Sequence, residues 1–132
     1  DIGHSNFTKY CDGIKKSDLA VYKLWEAIQS NPNMKDDTVL IIAPEFGRNE
    51  KPNSIRDPFG RLAVDHTGDE TSKQIFCLVV GPPHIVQQNK IVEHSYGESI
   101  DIVPTIGAIL GFGEEIPRTL ASGVPLHEAF VQ

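Results

Sequence analysis

The sequence predicts an α/β fold in which a buried, mostly parallel sheet is flanked by helices. Two apolar runs, Thr38–Ala43 and Ile75–Val80, are rich in β-branched and aliphatic residues, as in strands covered on both faces. A long amphipathic segment precedes the first run, and a shorter helix-like segment follows the second. This alternation is typical of a parallel sheet with helices packed on it.

Length and charge limit the classes of function. The 132 residues, 39% of them apolar, suffice for one globular domain or part of one. Twelve Lys and Arg against 18 Asp and Glu give a formal charge of −6 without a basic cluster, so we expect no nucleic-acid partner. The apolar runs fall far short of the roughly 20 residues of a membrane helix, so we expect no membrane span in this segment.

The first predicted helix runs from Asn6 to about Ser30. The turn Asn31-Pro32-Asn33 ends it. Its apolar residues recur every three, four or seven positions, the pattern of a helix that packs one face on a sheet. They are Phe7, Tyr10, Ile14, Val21, Trp25 and Ile28.

The long connection from Pro44 to Ser72 shows little periodicity. A connection of this length inside a compact domain is usually functional or disordered. Farther along, Lys90–Glu93 is a candidate edge strand.

The spacing of Cys11 and Cys77 fits neither a disulfide framework nor a metal knuckle, and we expect both to be buried free thiols.

A second helix is predicted from about Ile100 to Leu110, with Glu98-Ser99 as its N-terminal cap. Pro104 is compatible with this helix because it falls within about the first turn, before a backbone donor is required. Gly111 ends the helix. The tail contains a turn at Gly123–Leu126, followed by a candidate docking segment.

The motif Pro44-Glu45-Phe46-Gly47-Arg48 directly follows the first predicted strand. Charged groups at the carboxyl end of a buried parallel strand lie where open α/β folds bind ligands. A second motif, Asp65-His66-Thr67-Gly68, comes before the second strand. If both segments reach the same edge of the sheet, Glu45 and His66 converge, and we expect the chemistry there.

Carboxylates and imidazoles from three segments form a candidate metal site. A mixed set of this kind suits Zn²⁺, Mn²⁺ or iron better than Ca²⁺ or Mg²⁺, which prefer oxygen ligands, although the latter two stay open. Convergence of these groups would be costly without a cation or a proton to offset the like charges. The candidate ligands are Asp1, His4, Glu45, Asp65 and His66.

Structural alternatives exist for the first three of these ligands. Asp1 is equally compatible with a solvated terminal residue, and His4 with a cap or surface residue. Glu45 can instead form a structural ion pair with Arg48 or Arg56.

The remaining acidic and histidine candidates have alternatives as well. Asp65 can orient His66 through a hydrogen bond rather than bind a metal itself. His84 and His94 stand in turn-like segments, where we expect structural or surface roles, and His127 is left out of the site.

The motifs occur in a distinctive order along nearly the whole chain. The segments are Asp1–His4, Thr38–Gly47, Asp65–Gly68, Ile75–Pro82 and Asp101–Gly111, the last of which reads Asp-Ile-Val-Pro-Thr before its final Gly. This order resembles the C-terminal part of the alkaline phosphatase and sulfatase superfamily. The resemblance implies an alkaline-phosphatase-like sandwich with a mostly parallel sheet flanked by helices. Residues 1–132 would be the C-terminal portion of a single such domain.

The resemblance also implies roles for individual residues. Asp1, His4 and His66 match the ligands of the metal that holds the attacking water or hydroxide. Glu45 matches the carboxylate of a second metal that activates the nucleophile. Arg48 would contact the oxyanion and is the catalytic candidate on this chain.

Two positions depart from the family pattern. Phe46 stands where the second metal has its histidine, and Asp1 and His4 are one residue closer than in the usual Asp-x-x-x-His spacing. A bacterial branch of sulfatase-like proteins carries Glu-Phe-Gly-Arg followed by Asp-His, and the chain looks closer to that branch. The covalent nucleophile and the first metal-binding Asp are expected upstream of Asp1.

Two functions from different classes follow. The first is the C-terminal part of a metal-dependent hydrolase of phosphate, phosphonate or sulfate esters, which acts on a small anionic ester and needs the N-terminal part of the same domain. The second is a non-catalytic relative that keeps the fold as a binding or surface module. The loop Arg48–Leu62, with four cationic side chains, is expected to read the substrate anion. A periplasmic or extracellular location is expected by resemblance alone.

Overall fold

The computed structural model describes residues 6–51, 56, 59–60, 65–66, 69–93, 97–119 and 122–131. These residues form helix α1 (Phe7–Ser30), strand β1 (Leu40–Ile42), strand β2 (Leu78–Val80) and helix α2 (Ile102–Ile109). Short 3₁₀ turns lie at Glu70–Lys73, Ser99–Asp101 and Gly113–Glu115. Among the described residues, no helix combines the length and the apolarity needed to cross a membrane.

Helix α1 begins and ends at the residues that the sequence predicts. The side chain of Asn6 accepts a hydrogen bond from the backbone N–H of Lys9 at 2.9 Å and so caps the N-terminus. At the other end, Asn31 leaves the helical conformation directly before Pro32. Both signals are local, and both are confirmed.

The apolar face of α1 is only partly covered. Ile28 is buried, and Val21 and Trp25 are half-buried. Phe7 and Ile14, on the same predicted face, each expose about half of their surface. The prediction that the whole stripe is buried is therefore wrong at Phe7 and Ile14, which remain open to solvent.

Strands β1 and β2 hydrogen-bond to each other as a two-stranded sheet. Each is three residues long and lies inside a longer predicted run. The residues of β1 are half-buried, and Leu78 at the start of β2 is exposed. The prediction that these strands are covered on both faces is thus wrong for the described structure, whereas the larger, mostly parallel sheet stays a prediction.

The candidate edge strand Lys90–Glu93 is not a strand. Ile91 exposes 84% of its surface, and the Lys90 ammonium forms an ion pair with Glu128. A strand needs a neighbouring main chain to hydrogen-bond with. Ile91 and Val92 favour a strand by composition, but the described structure places no strand beside them. The prediction of an edge strand here is wrong.

The chain divides into two compact units, and the division passes through both strands. The first unit draws its described residues from Asp1–Pro32 and Ile41–Leu78. The second draws them from Asn33–Leu40 and Val79–Gln132. The assignment of residues 1–132 to one domain stays a prediction.

In the second unit, the predicted cap at Glu98 begins the 3₁₀ turn Ser99–Asp101, and helix α2 follows at Ile102, about two residues later than predicted. The backbone N–H of Glu98 donates to the Asp101 carboxylate at 2.7 Å, and the Glu98 side chain accepts from Asp101 in return, which makes a capping box. Pro104 is buried in the first turn, where its missing N–H would have no helical partner. Gly111 follows the helix with φ +80°, a conformation that favours glycine.

The C-terminal tail docks within the same unit. Val86 and Phe130 form an antiparallel bridge, and both side chains are buried. The backbone N–H of Val131 donates to the Ile85 carbonyl at 2.8 Å. The candidate docking segment after Gly123–Leu126 is confirmed by this pairing.

The two cysteines are free thiols, as predicted. Cys11 is half-buried, but Cys77 is exposed, so the prediction of a buried thiol is wrong at Cys77. The sheet does not extend to this residue, because β2 begins only at Leu78 and Cys77 precedes it.

Candidate functional site

The segment that follows β1 is joined to residues 65–72 by main-chain hydrogen bonds. The N–H of Gly47 donates to the Ser72 carbonyl at 2.8 Å, and the N–H of Asn49 donates to the Asp65 carbonyl at 2.6 Å. Two further backbone donors reach side chains of the same stretch: Glu50 bonds the Thr71 hydroxyl, and Lys51 bonds the Asp69 carboxylate. The two motifs singled out in the sequence therefore meet in space.

Asp65 is a buried carboxylate between two cationic or titratable groups. Its side chain is 4% exposed, and Oδ1 lies 3.5 Å from Arg48 Nη1. The same oxygen lies 3.5 Å from His66 Nε2. A buried carboxylate is costly unless it is compensated, and the Arg48 guanidinium supplies that compensation.

Arg48 also lies over an aromatic ring of helix α1. Its Cζ atom is 4.1 Å from the centre of the Tyr10 ring, which is within the range of a cation–π contact. The guanidinium is delocalised and weakly hydrated, so it can stack on a ring with one face and pair with a carboxylate at its edge. Arg48 thereby links the helix to Asp65.

Phe46 stacks on His66. The ring centres are 3.9 Å apart, and the ring planes meet at 32°. Phe46 stands at the position where the resemblance described above would place a ligand histidine. At this position the chain offers an apolar contact to the imidazole instead of a second nitrogen donor.

The five predicted metal ligands are only partly described. Asp65 and His66 are adjacent, and Glu45 is exposed on the segment that leads to Phe46. Asp1 and His4 lie outside the described residues. Within the described ranges, no three His, Cys, Asp or Glu side chains stand close enough together to hold a metal ion.

The alternatives for Glu45 and Asp65 can be compared with these contacts. The carboxylate that Arg48 approaches is Asp65, not the Glu45 proposed as its structural partner. Asp65 Oδ1 and His66 Nε2 are 3.5 Å apart, a charge contact that is longer than a good hydrogen bond, so orientation of the imidazole by Asp65 stays a prediction.

The cationic loop has a mixed outcome. The Lys51 N–H bonds Asp69, and the Arg56 guanidinium donates to the Gly60 carbonyl at 2.7 Å. Arg61 lies outside the described residues. This hydrogen bond of Arg56 lies within its own loop, and recognition of the substrate anion by the loop stays a prediction.

Two residues of this cluster are not identified by sequence reasoning. Tyr10 is predicted only as part of the apolar helix stripe, and Asn49 is not singled out, although it is 7% exposed. A signal for Asn49 exists, because a polar residue that directly follows the Arg of a strand-end motif is a natural neighbour of the site. For Tyr10, no pattern within the helix distinguishes packing on a sheet from stacking on a guanidinium.

The arrangement presents one imidazole beside a charge-compensated carboxylate at the end of β1. An imidazole of this kind can serve as a metal ligand. The donors of this arrangement, imidazole and carboxylate, fit Zn²⁺ or Mn²⁺ in type.

Comparison with protein-family models, curated proteins and solved structures gives no match to this chain.

Proposed function

We propose that the chain is the C-terminal part of a metal-dependent hydrolase of phosphate or sulfate esters, built on an alkaline-phosphatase-like α/β domain. The observation that carries the proposal is the meeting of two separate motifs: Arg48 lies 3.5 Å from the buried Asp65, and Phe46 stacks on His66. Together with the order of the motifs along the chain, this supports a site at the end of β1.

The proposed metal would be held by Asp1, His4 and His66, with Glu45 near a second metal position. A divalent ion at such a site would stabilise negative charge on the ester oxygens and lower the pKa of bound water. The chain's own contribution is orientation. Asp65 fixes the His66 imidazole, and Arg48 balances the charge of the Asp65 carboxylate.

Calorimetric titration of the full chain with Zn²⁺ and with Mn²⁺, in metal-free buffer near neutral pH, tests this function. We expect binding at one site and a loss of at least about tenfold in affinity in His66→Ala, since loss of a metal contact has effects of that order or larger. His84→Ala is the matched control because His84 is exposed and stands in a turn of the other unit. Absence of binding by the wild-type chain, or equal binding by His66→Ala, would overturn the proposal.

A non-catalytic module is the second candidate, and the contact between Phe46 and His66 favours it. An apolar ring at 3.9 Å from the imidazole centre occupies the position where a catalytic relative would have another nitrogen ligand. Under this proposal the cluster is a structural support for a binding surface. A wild-type chain that binds neither metal but is destabilised by Phe46→Ala and by His66→Ala would support it.

The charge of Arg48 tests the expected contact with a substrate anion. Inorganic phosphate and inorganic sulfate serve as probes of that contact, with the metal present. If Arg48 contacts the anion, Arg48→Glu weakens the binding of both probes, while Lys73→Glu, at an exposed position, leaves it unchanged. Unchanged binding in Arg48→Glu would remove the anion-reading role.

A further inference from the structure

The guanidinium of Arg48 is held between a buried carboxylate and an aromatic ring. Asp65 Oδ1 is 3.5 Å from Nη1, and the Tyr10 ring centre is 4.1 Å from Cζ. The Arg48 side chain is 21% exposed, so solvent screens these contacts only in part. Both contacts restrict the rotamers of a long side chain that is otherwise costly to order.

The position of Tyr10 is itself fixed by the start of helix α1. Its backbone N–H donates to the Asn6 carbonyl at 2.9 Å, and the Asn6 side chain caps the same turn through Lys9. Asn6 is buried. The ring below Arg48 therefore belongs to a well-anchored first turn, and not to a freely fraying end.

On its other side, Arg48 acts on His66 through Asp65. One oxygen, Oδ1, lies 3.5 Å from both Arg48 Nη1 and His66 Nε2, so a displaced carboxylate would change the immediate surroundings of the imidazole. The Asp65 main chain is tied down as well, because its carbonyl accepts from the Asn49 N–H at 2.6 Å. Without its contact to the ring, the guanidinium would be held less firmly beside Asp65, and the carboxylate would be less well positioned next to His66.

We infer that Tyr10 is a positioning residue for the Asp65–His66 pair and acts through Arg48. The ring keeps the guanidinium against Asp65, and Asp65 orients the imidazole. The consequence for metal binding rests on the function proposed above, but the positioning of Asp65 does not. Helix α1 thus becomes part of the site without any ligand of its own among the described residues.

The test compares Tyr10→Leu with Tyr10→Phe, which keeps the ring, and with Tyr22→Leu, an exposed position of the same helix. Two measurements on the metal-free chain report positioning: the ring-current shift of the Arg48 side-chain protons, and hydrogen exchange at the Asn49 amide. The Gly47 amide, bonded to Ser72 in the same unit, is the internal reference for exchange. A third measurement is the Zn²⁺ affinity by calorimetry.

In Tyr10→Leu we expect the Arg48 shift to vanish, and Asn49 exchange to accelerate about five- to tenfold, the scale of a partly buried cation–π contact. Gly47 exchange should stay unchanged, and Zn²⁺ affinity should fall by a factor similar to that at Asn49. In Tyr10→Phe and Tyr22→Leu, the Asn49 exchange rate and the Zn²⁺ affinity should stay within about twofold of the wild-type values, as for a neutral substitution.

Equal behaviour of Tyr10→Leu and Tyr10→Phe would overturn the inference, as would equal acceleration at Gly47 and Asn49, which would indicate a general loss of stability. The two proposals can fail separately. If the wild type binds no Zn²⁺, the hydrolase proposal fails, while the Arg48 shift and the Asn49 exchange still decide whether Tyr10 positions Asp65.

Discussion

The hydroxyl of Thr105 accepts a hydrogen bond from the backbone N–H of Leu126 at 2.8 Å, although the two residues are 21 positions apart. The same hydroxyl donates to the Asp101 carbonyl at 2.6 Å. Thr105 is 1% exposed, so both bonds are made away from water. One buried side chain therefore ties the tail of the second unit to helix α2.

The first prediction removes that hydroxyl. Thr105→Val keeps the shape of the side chain but leaves the Leu126 N–H without its acceptor, which should lower the free energy of unfolding by about 1–3 kcal/mol. Urea unfolding followed by circular dichroism measures the change. Thr119→Val is the control at an exposed position and should be neutral. Equal midpoints for the two variants would show that the bond to Leu126 adds nothing.

The second prediction concerns Gly111, which ends helix α2 with φ +80°. A Cβ at this position meets no atom within 4 Å, so only the backbone conformation opposes it. Gly111→Ala should destabilise the chain by about 1–2 kcal/mol, the cost of a left-handed alanine. Gly13→Ala, in the interior of α1 and equally open, should stabilise by about 0.5–1 kcal/mol. The same sign in both unfolding experiments would contradict this account.

The third prediction tests the close approach at Gly47. A Cβ there would collide with the main-chain carbonyl oxygens of Thr71 and Gln74, which cannot move aside as a flexible side chain can. Gly47→Ala should cost about 1–3 kcal/mol of stability and should separate the segment after β1 from Asp65. Thermal unfolding measures the first effect, and hydrogen exchange at the Asn49 amide measures the second. Wild-type exchange at Asn49 in this variant would show that the two segments do not depend on Gly47.

The fourth prediction is a pH dependence at Cys77. Partial burial raises the pKa of this thiol, since it disfavours the charged thiolate. The folded chain thus binds the thiol proton more tightly than the unfolded chain does. Stability is unaffected by this group below the ordinary thiol pKa and falls as the pH rises through the elevated value.

Alkylation by iodoacetamide reports this shift directly, with Cys11→Ser as the background that leaves one thiol. The rate against pH should rise at more alkaline pH for the folded chain than for the same chain in denaturant, because the thiolate is the reactive form. Coincident profiles in the two states would rule out an effect of folding on the Cys77 thiol.

Local signals along the sequence predict the helices well. Asn6 and Pro32 place the ends of α1 to within a residue, and Gly111 marks the end of α2, whereas Glu98 caps a 3₁₀ turn and α2 begins about two residues later than predicted. Each of these signals acts on the backbone of its own neighbours. The ends of helices can therefore be predicted from the local sequence, without knowledge of the rest of the fold.

The lengths of strands and the burial of side chains cannot be predicted from local sequence signals. Thr38–Ala43 and Lys90–Glu93 were both predicted to contain strands, but only part of the first run forms one. The extent of a strand depends on its neighbour, and burial depends on what covers the sheet. These are long-range properties, which is also why Cys77 was predicted to be buried and is exposed.

The candidate site was likewise predictable only in part. The meeting of the Arg48 and Asp65 segments follows from the reasoning that both approach the end of β1. The ion-pair partner does not follow, since the sequence suggested Glu45 as a partner of Arg48 or Arg56, whereas Arg48 lies beside Asp65. The ring of Tyr10 lies 38 positions before Arg48 by residue number, and no local pattern connects them.

The main-chain bonds from Gly47 to Ser72 and from Asn49 to Asp65 have an implication for protein engineering. Because these two bonds are made by the main chain, a substitution at Phe46 leaves their donors and acceptors in place. Phe46 is the obvious position, since its ring already lies against His66. A histidine grafted there would start from a ready-made scaffold, which makes this chain a practical host for a two-imidazole metal centre.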